Sequence, residues 1–164
     1  MRHMATSSRK ARAATKTDWR MRPLDDEFGE ALRAELLTWP GLTLRPMMGT
    51  LSYFRGKTFL GCYVNRALTN SRRDWVNRED EPAYACIRLR SDDAARAMKQ
   101  PQIRQSRMEF AGWVEVPLGS RDLLAQAVRW FARAYENPLP PAKRQSAKAS
   151  RAKKSAKPRR KSRR

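Results

Sequence analysis

Read for its apolar positions, the chain divides into stretches of distinct period. Leu24, Phe28, Leu32, Leu36 and Trp39 recur at three- and four-residue spacing, the stripe of an amphipathic helix. Asp25 or Asp26 is placed to cap it, Glu27 and Glu30 sit near its positive end, and Pro40-Gly41 stops it. From Leu44 to Val64 the period changes to two. Leu51 and Tyr53 alternate with Ser52 and Phe54, Arg55-Gly56 interrupts, and Thr58 to Val64 resumes with Phe59, Leu60, Cys62, Tyr63 and Val64. Two β-rich runs divided by a Gly-containing pair predict a hairpin. Pro46 cannot donate to a ladder, so a strand opening near Thr43 belongs at a sheet edge or after a bulge. Gly49 and Gly61 are expected at bends or close packing.

Asn65 to Ala83 is polar and long for a loop in a compact domain. Arg66, Arg72, Arg73 and Arg78 with Trp75 offer charge plus stacking to a nucleic acid. Asp74, Glu79, Asp80 and Glu81 cancel those four charges, so the expectation is a solvated insertion with Trp75 folded back on the domain. Tyr84 to Arg90 alternates, Ile87 and Leu89 on one face and Arg88 and Arg90 on the other, a half-buried strand with a wet face. Ser91 is placed to cap a short helix through Gln100, with Asp92 and Asp93 in its first turn and Pro101 beyond. Met108 and Phe110 alternate with Arg107 and Glu109, Ala111-Gly112 bends the chain, and Val114 and Val116 continue it. A hairpin and a single bulged strand both fit this pattern. Ser120 caps the last helix, whose stripe is Leu124, Val128, Phe131 and Tyr135 joined by Leu123 and Ala127; Asn137-Pro138 ends it.

This order of elements predicts an α+β fold: a single small domain with an N-terminal helix, an antiparallel sheet of about five strands and two further helices. The domain is expected over residues 18–137. Residues 1–17 are expected to be a disordered basic arm. Residues 138–164 are expected to be a disordered Lys/Arg-rich tail, leaving through Pro138, Pro140 and Pro141.

Arg45-Pro46-Met47-Met48-Gly49, followed by Tyr53, Gly56-Lys57 and Phe59, resembles the opening motif of the TfoX/Sxy N-terminal domain family, relatives of the MmcQ/YjbR-like proteins. Tyr84 to Arg90, then Met108, Gly112-Trp113-Val114 and Val116-Pro117, agree in order. The resemblance runs from Leu24 to Tyr135, with Met48 and Thr50 standing where the family has Phe and a second Gly. It implies a small α+β domain linked to transcriptional control, and no established catalytic residues.

Charge changes the picture most. The formal net charge is +20, from 36 Lys and Arg against 16 Asp and Glu. Residues 1–17 hold five of the cations and residues 142–164 hold twelve, with no acid in either. Residues 18–141 keep nineteen against all 16 acids, a net of +3. The basicity belongs to the ends. The twelve tail cations are Lys143, Arg144, Lys148, Arg151, Lys153, Lys154, Lys157, Arg159, Arg160, Lys161, Arg163 and Arg164. They are the candidate nucleic-acid-binding residues, because Lys and Arg neutralise phosphates and release counterions without reading sequence. The tail has no aromatic residue, so stacking cannot come from it.

Catalytic chemistry is not evident. The single histidine, His3, lies in the basic arm, and there is no phosphate loop of the GxxxxGK[ST] type and no Ser nucleophile motif. Cys62 and Cys86 sit in apolar strand contexts and are expected to be buried, reduced and inert. With two Cys and one His a zinc site is not expected, nor is any cofactor. No apolar run approaches the roughly 20 residues that cross a bilayer, and the N-terminal stretch lacks a signal-peptide core. The expectation is a non-enzymatic cytoplasmic domain, nucleoid-associated through a tail that binds DNA or RNA largely without sequence specificity. The alternative is a protein-interaction or regulatory adaptor module, with the sheet face or the 65–83 loop as contact surface and the tail adding only charge.

Overall fold

In the computed structural model, which describes residues 23–68, 73–108 and 111–140, the hydrophobic periods resolve into three α-helices and six strands, with a single 3₁₀ turn at Arg66–Leu68 among the described residues. Helix α1, Glu27–Leu37, starts at Asp26, whose carboxylate accepts from the amides of Phe28 at 3.2 Å and Gly29 at 3.1 Å. The same carboxylate accepts from the Tyr63 hydroxyl at 2.7 Å, tying the helix start to the sheet. Gly29 allows the close approach: a Cβ there would lie 2.6 Å from the Tyr63 ring.

Strands β1 (Leu42–Met47), β2 (Thr50–Arg55) and β3 (Thr58–Val64) form an antiparallel meander. Strand β4 (Tyr84–Arg88) pairs with β3, and β6 (Trp113–Pro117) pairs with β4 and with the two-residue β5 (Arg104–Gln105). The sheet order is β1-β2-β3-β4-β6-β5, antiparallel throughout. Pro46 therefore lies in an edge strand, as its missing donor requires. A hairpin does form before α3, but its first strand is β5 and not the Arg107–Phe110 stretch, of which Glu109 and Phe110 lie outside the described residues. Met108 lies in the connection, and the Ser106 amide donates to Trp113 O at 3.0 Å. A strand of two residues shows no period, which is why β5 was not legible in the sequence.

Helices α1, α2 (Ser91–Ala97) and α3 (Arg121–Glu136) all contribute to one core on one face of the sheet. That core holds Leu32, Leu36, Leu44, Tyr53, Leu60, Tyr63, Ile87, Val114, Val116 and Phe131. Phe131 meets the edge of Tyr53 at 5.3 Å between ring centres and lies against Gly61.

Two helix expectations need correction. Arg90, not Ser91, is the N-cap of α2, and it makes no side-chain capping bond. The helix ends at Ala97 rather than Gln100, because the amides of Lys99 and Gln100 turn to the carbonyls three residues back and tighten the chain. In α3, Ser120 caps as expected, accepting from Leu123 N at 3.3 Å. Its buried line, however, is Ala127, Trp130, Phe131 and Ala134, while Leu123, Leu124, Val128 and Tyr135 are partly buried flanks. Two alanines on that line let the helix lie close to the sheet, so Phe131 takes the centre. Among the described residues no helix is long and apolar enough to cross a membrane.

Candidate functional site

With all three helices on one side, the residues of the other parity face away from the main core. They are Arg45 and Met47 on β1, Thr50, Ser52 and Phe54 on β2, Cys62 and Val64 on β3, Tyr84, Cys86 and Arg88 on β4, and Trp113 and Glu115 on β6. A register shift beside Tyr53/Phe54 makes Leu60 the extra residue of β3 and turns Phe59 onto this same face, opposite Phe54. The face expected to be wet is half dry. Cys62, Val64, Tyr84 and Cys86 form a second buried cluster, with Phe59, Trp75, Met108 and Trp113 packed around it.

Trp75 belongs to the 73–83 segment, and its carbonyl accepts from the Tyr84 hydroxyl. Asn77 is buried beside it and accepts from the Arg66 amide at 2.8 Å while donating to Glu81 O at 3.1 Å. The loop therefore folds back on the sheet through Trp75, as expected, and its Arg66 pairs with Glu79 at 3.0 Å. Arg72 lies outside the described residues.

Two features stand out on this face. The first is a cavity of about 220 Å³ lined by Met47, Met48, Thr50, Ser52, Phe59, Cys62, Trp75, Met108 and Trp113. Phe59 and Trp113 stack at 5.1 Å, and Phe54 meets the edge of Phe59 at 5.3 Å. At the floor the Thr50 hydroxyl donates to Met47 O at 2.8 Å and lies 3.1 Å from Ser52 Oγ. The rim is unusual. Met47 and Met48 are 43% and 67% exposed, and Met48 holds a φ of 54° in a two-residue turn with Gly49 at 79°. A turn with both central residues at positive φ favours Asn or Gly, and a long side chain there carries strain.

The second feature is charged. Glu115, 1% exposed, accepts from Arg104 Nε at 3.0 Å and Nη2 at 2.7 Å, and from Arg107 Nε at 3.0 Å and Nη2 at 2.6 Å. Arg107 also donates to Glu81 at 2.9 Å, which holds the Glu81 carboxyl below the usual carboxylate range. Arg107 lies over the Tyr84 ring at 4.9 Å, and burial pushes the Tyr84 hydroxyl up. This clamp sets the cavity wall beside it. Ser106, next to Arg107, accepts from Met108 N at 3.2 Å and from Cys86 Sγ at 3.0 Å.

The thiols are free and buried, and stand directly opposite each other across β3 and β4. Burial pushes Cys86 well up. Among the described residues no group of three His, Cys, Asp or Glu is placed to hold a metal ion.

The tail cations, Lys143 through Arg164, lie outside the described residues. The chain leading to the tail is placed. After α3 it runs to Pro140, whose carbonyl accepts from Arg88 Nη2 at 3.1 Å, and Arg88 stands directly opposite Trp113. Pro140, the last described residue, therefore lies near the end of the sheet where Arg88 and Trp113 pair. Sequence reasoning named the sheet face and the loop as possible contact surfaces but missed the cavity residues Met47, Met48, Phe59, Met108 and Trp113. The alternation of Ser52 and Phe54 was the available signal. Comparison with protein-family models, with curated proteins and with solved structures finds no match to this chain.

Proposed function

We propose that this is a non-enzymatic nucleic-acid-binding protein of the cytoplasm, in which the Lys/Arg-rich tail grips phosphates and the α+β domain carries the tail. The motif resemblance to TfoX/Sxy N-terminal domains adds transcriptional regulation as the setting. The observation that carries the reading is the segregation of charge. Inside the domain the arginines serve the fold: Arg104 and Arg107 on Glu115 and Glu81, Arg96 and Arg133 on Asp93, Arg66 on Glu79. The tail concentrates twelve cations with no acid among them.

Fluorescence anisotropy on unrelated DNA duplexes, with the full chain and with a chain lacking residues 141–164, tests it. Were all twelve cations engaged, the slope of log K against log salt would approach about −11, at roughly −0.9 per phosphate. Half to two-thirds of that is expected of partial engagement, with slight sequence preference. Affinity and slope that survive truncation would refute the reading. A second reading, an adaptor module binding another protein, is favoured by the exposed Met47 and Met48 and would then take its place.

A further inference from the structure

The tail supplies charge without a ring to stack on, while the face beside its starting point supplies rings. We propose that the cavity on the open face receives one unstacked base of a single-stranded nucleic acid whose phosphates the tail holds. This rests on the tail reading above and narrows it from nucleic acid in general to single strands.

Position comes first. The Arg88–Pro140 hydrogen bond fixes the root of the tail one cross-strand pair from Trp113, a wall of the cavity. The 24 residues beyond Pro140 span up to about 80 Å when extended, so a strand held along them has ample reach to the cavity mouth. Arg45 lies over Phe54 at 5.1 Å and Arg73 over Trp75 at 5.8 Å. Cations thus lie over Trp75 of the lining and over Phe54, the ring that meets Phe59, as they do where a backbone must be followed while its bases stack.

Size and lining come next. About 220 Å³ is below the roughly 300–1,000 Å³ of pockets that enclose a whole small molecule. A space of that size suits one flat ring with its substituents rather than a whole ligand. The walls are three aromatic rings and three thioethers, the surfaces that take a π-face from either side. The only hydroxyls, Thr50 and Ser52, are already bonded to each other and to Met47 O. They leave at most an acceptor for one base edge, so the site holds a base by stacking and discriminates little between bases.

The rim adds an independent mark. Met48 keeps a large, exposed, apolar side chain at a backbone position that disfavours it. Strain held at a cavity mouth is the kind a fold retains for a ligand. Bases within a duplex are buried in their own stack, and extracting one means breaking its stacking and pairing. The site therefore favours single strands over duplex.

The test uses the full chain and four variants: Trp113→Leu, Phe59→Leu, Met48→Asp, and a chain lacking residues 141–164. Leucine keeps an apolar filler while removing the ring. Asp tolerates positive φ and places a negative charge at the exposed rim without touching the core. Anisotropy is read with labelled oligo-dT and with a duplex of equal length at fixed salt. Expected is tighter binding of oligo-dT by the full chain. Each of the three point variants should lose about 5- to 100-fold on oligo-dT while staying within about twofold on duplex and keeping the salt slope. Equal loss on both substrates, or no loss in Met48→Asp, overturns the base site. Loss of all binding on truncation, with the point variants unchanged, leaves the tail reading standing and removes this one. Binding unaffected by truncation removes the tail reading instead.

Discussion

Removing the Glu115 carboxylate is the most informative change that can be made to the fold. The group is 1% exposed in the centre of β6, yet both oxygens are engaged: Oε1 receives three N–H groups from Arg104 and Arg107, and Oε2 receives Arg107 Nε. Breaking a buried ion pair by deleting one partner costs about 3–5 kcal/mol, because the other charge stays desolvated. The two arginines differ in how much they would suffer. Arg104 is 59% exposed and returns to water, whereas Arg107 is 20% exposed and keeps Glu81 and the Tyr84 ring. Glu115→Ala is therefore expected near the lower end, about 3 kcal/mol. Glu115→Gln keeps an acceptor in place but loses the charge, which is worth about 1.5–3 kcal/mol in hydrogen bonds to charged groups. Arg104→Ala should cost under about 1 kcal/mol, as exposed partners do. Urea unfolding of each variant reads the differences as a shift in midpoint at unchanged slope. A loss below about 1 kcal/mol for Glu115→Ala, or a larger loss for Arg104→Ala, would refute the picture of a carboxylate that organises this end of the sheet.

Three further outcomes follow from the same packing. The Tyr53 hydroxyl is fully buried with no hydrogen-bond partner among the described residues, so Tyr53→Phe should raise stability by up to about 1 kcal/mol; a thermal melt showing clear loss would mean the hydroxyl is satisfied. Gly29→Ala should destabilise despite alanine's roughly 1 kcal/mol helix advantage, since the new Cβ meets the Tyr63 ring at 2.6 Å; a gain in melting temperature would show that the ring yields. The Arg107 hydrogen bond, then the Arg78 amide, lowers the folded pKa of Glu81. Its contribution is present above the unfolded value of about 4.3 and is lost as pH falls toward the folded one. Stability measured from pH 6 down to 3 should fall less steeply in Glu81→Gln, and parallel curves would contradict the assignment.

What was legible in the sequence was whatever repeats. The stripe from Leu24 to Trp39, the Leu51–Tyr53 alternation and the edge position demanded by Pro46 all reappear in the fold, because period and missing donors are local properties. The stripe of α3 shifted because closeness to the sheet is set by Ala127 and Ala134, and no single-helix pattern reveals which line a sheet will select. Strand β5 escaped for want of length. The cavity escaped for a different reason: it is assembled from β1, β2, β3, β6 and three connections, and the bulge that aims Phe59 is a property of pairing, not of order. Strand β4 illustrates both sides. Its alternation is legible in the sequence, but the burial of Tyr84 and Cys86 on the Arg88 face depends on Trp75 folding back from the loop just before the strand.

The central claim is a division of labour, phosphates to the tail and a base to the open face. Ultraviolet cross-linking of the full chain to an oligonucleotide carrying 5-iodouracil, followed by mass spectrometric mapping, tests it most directly because it reports where the base itself sits. The account predicts adducts at Trp113, Phe59, Trp75 or Met108, and their disappearance when residues 141–164 are removed at moderate salt. Adducts confined to the helix-covered side, for example at α1 or α3, would contradict it.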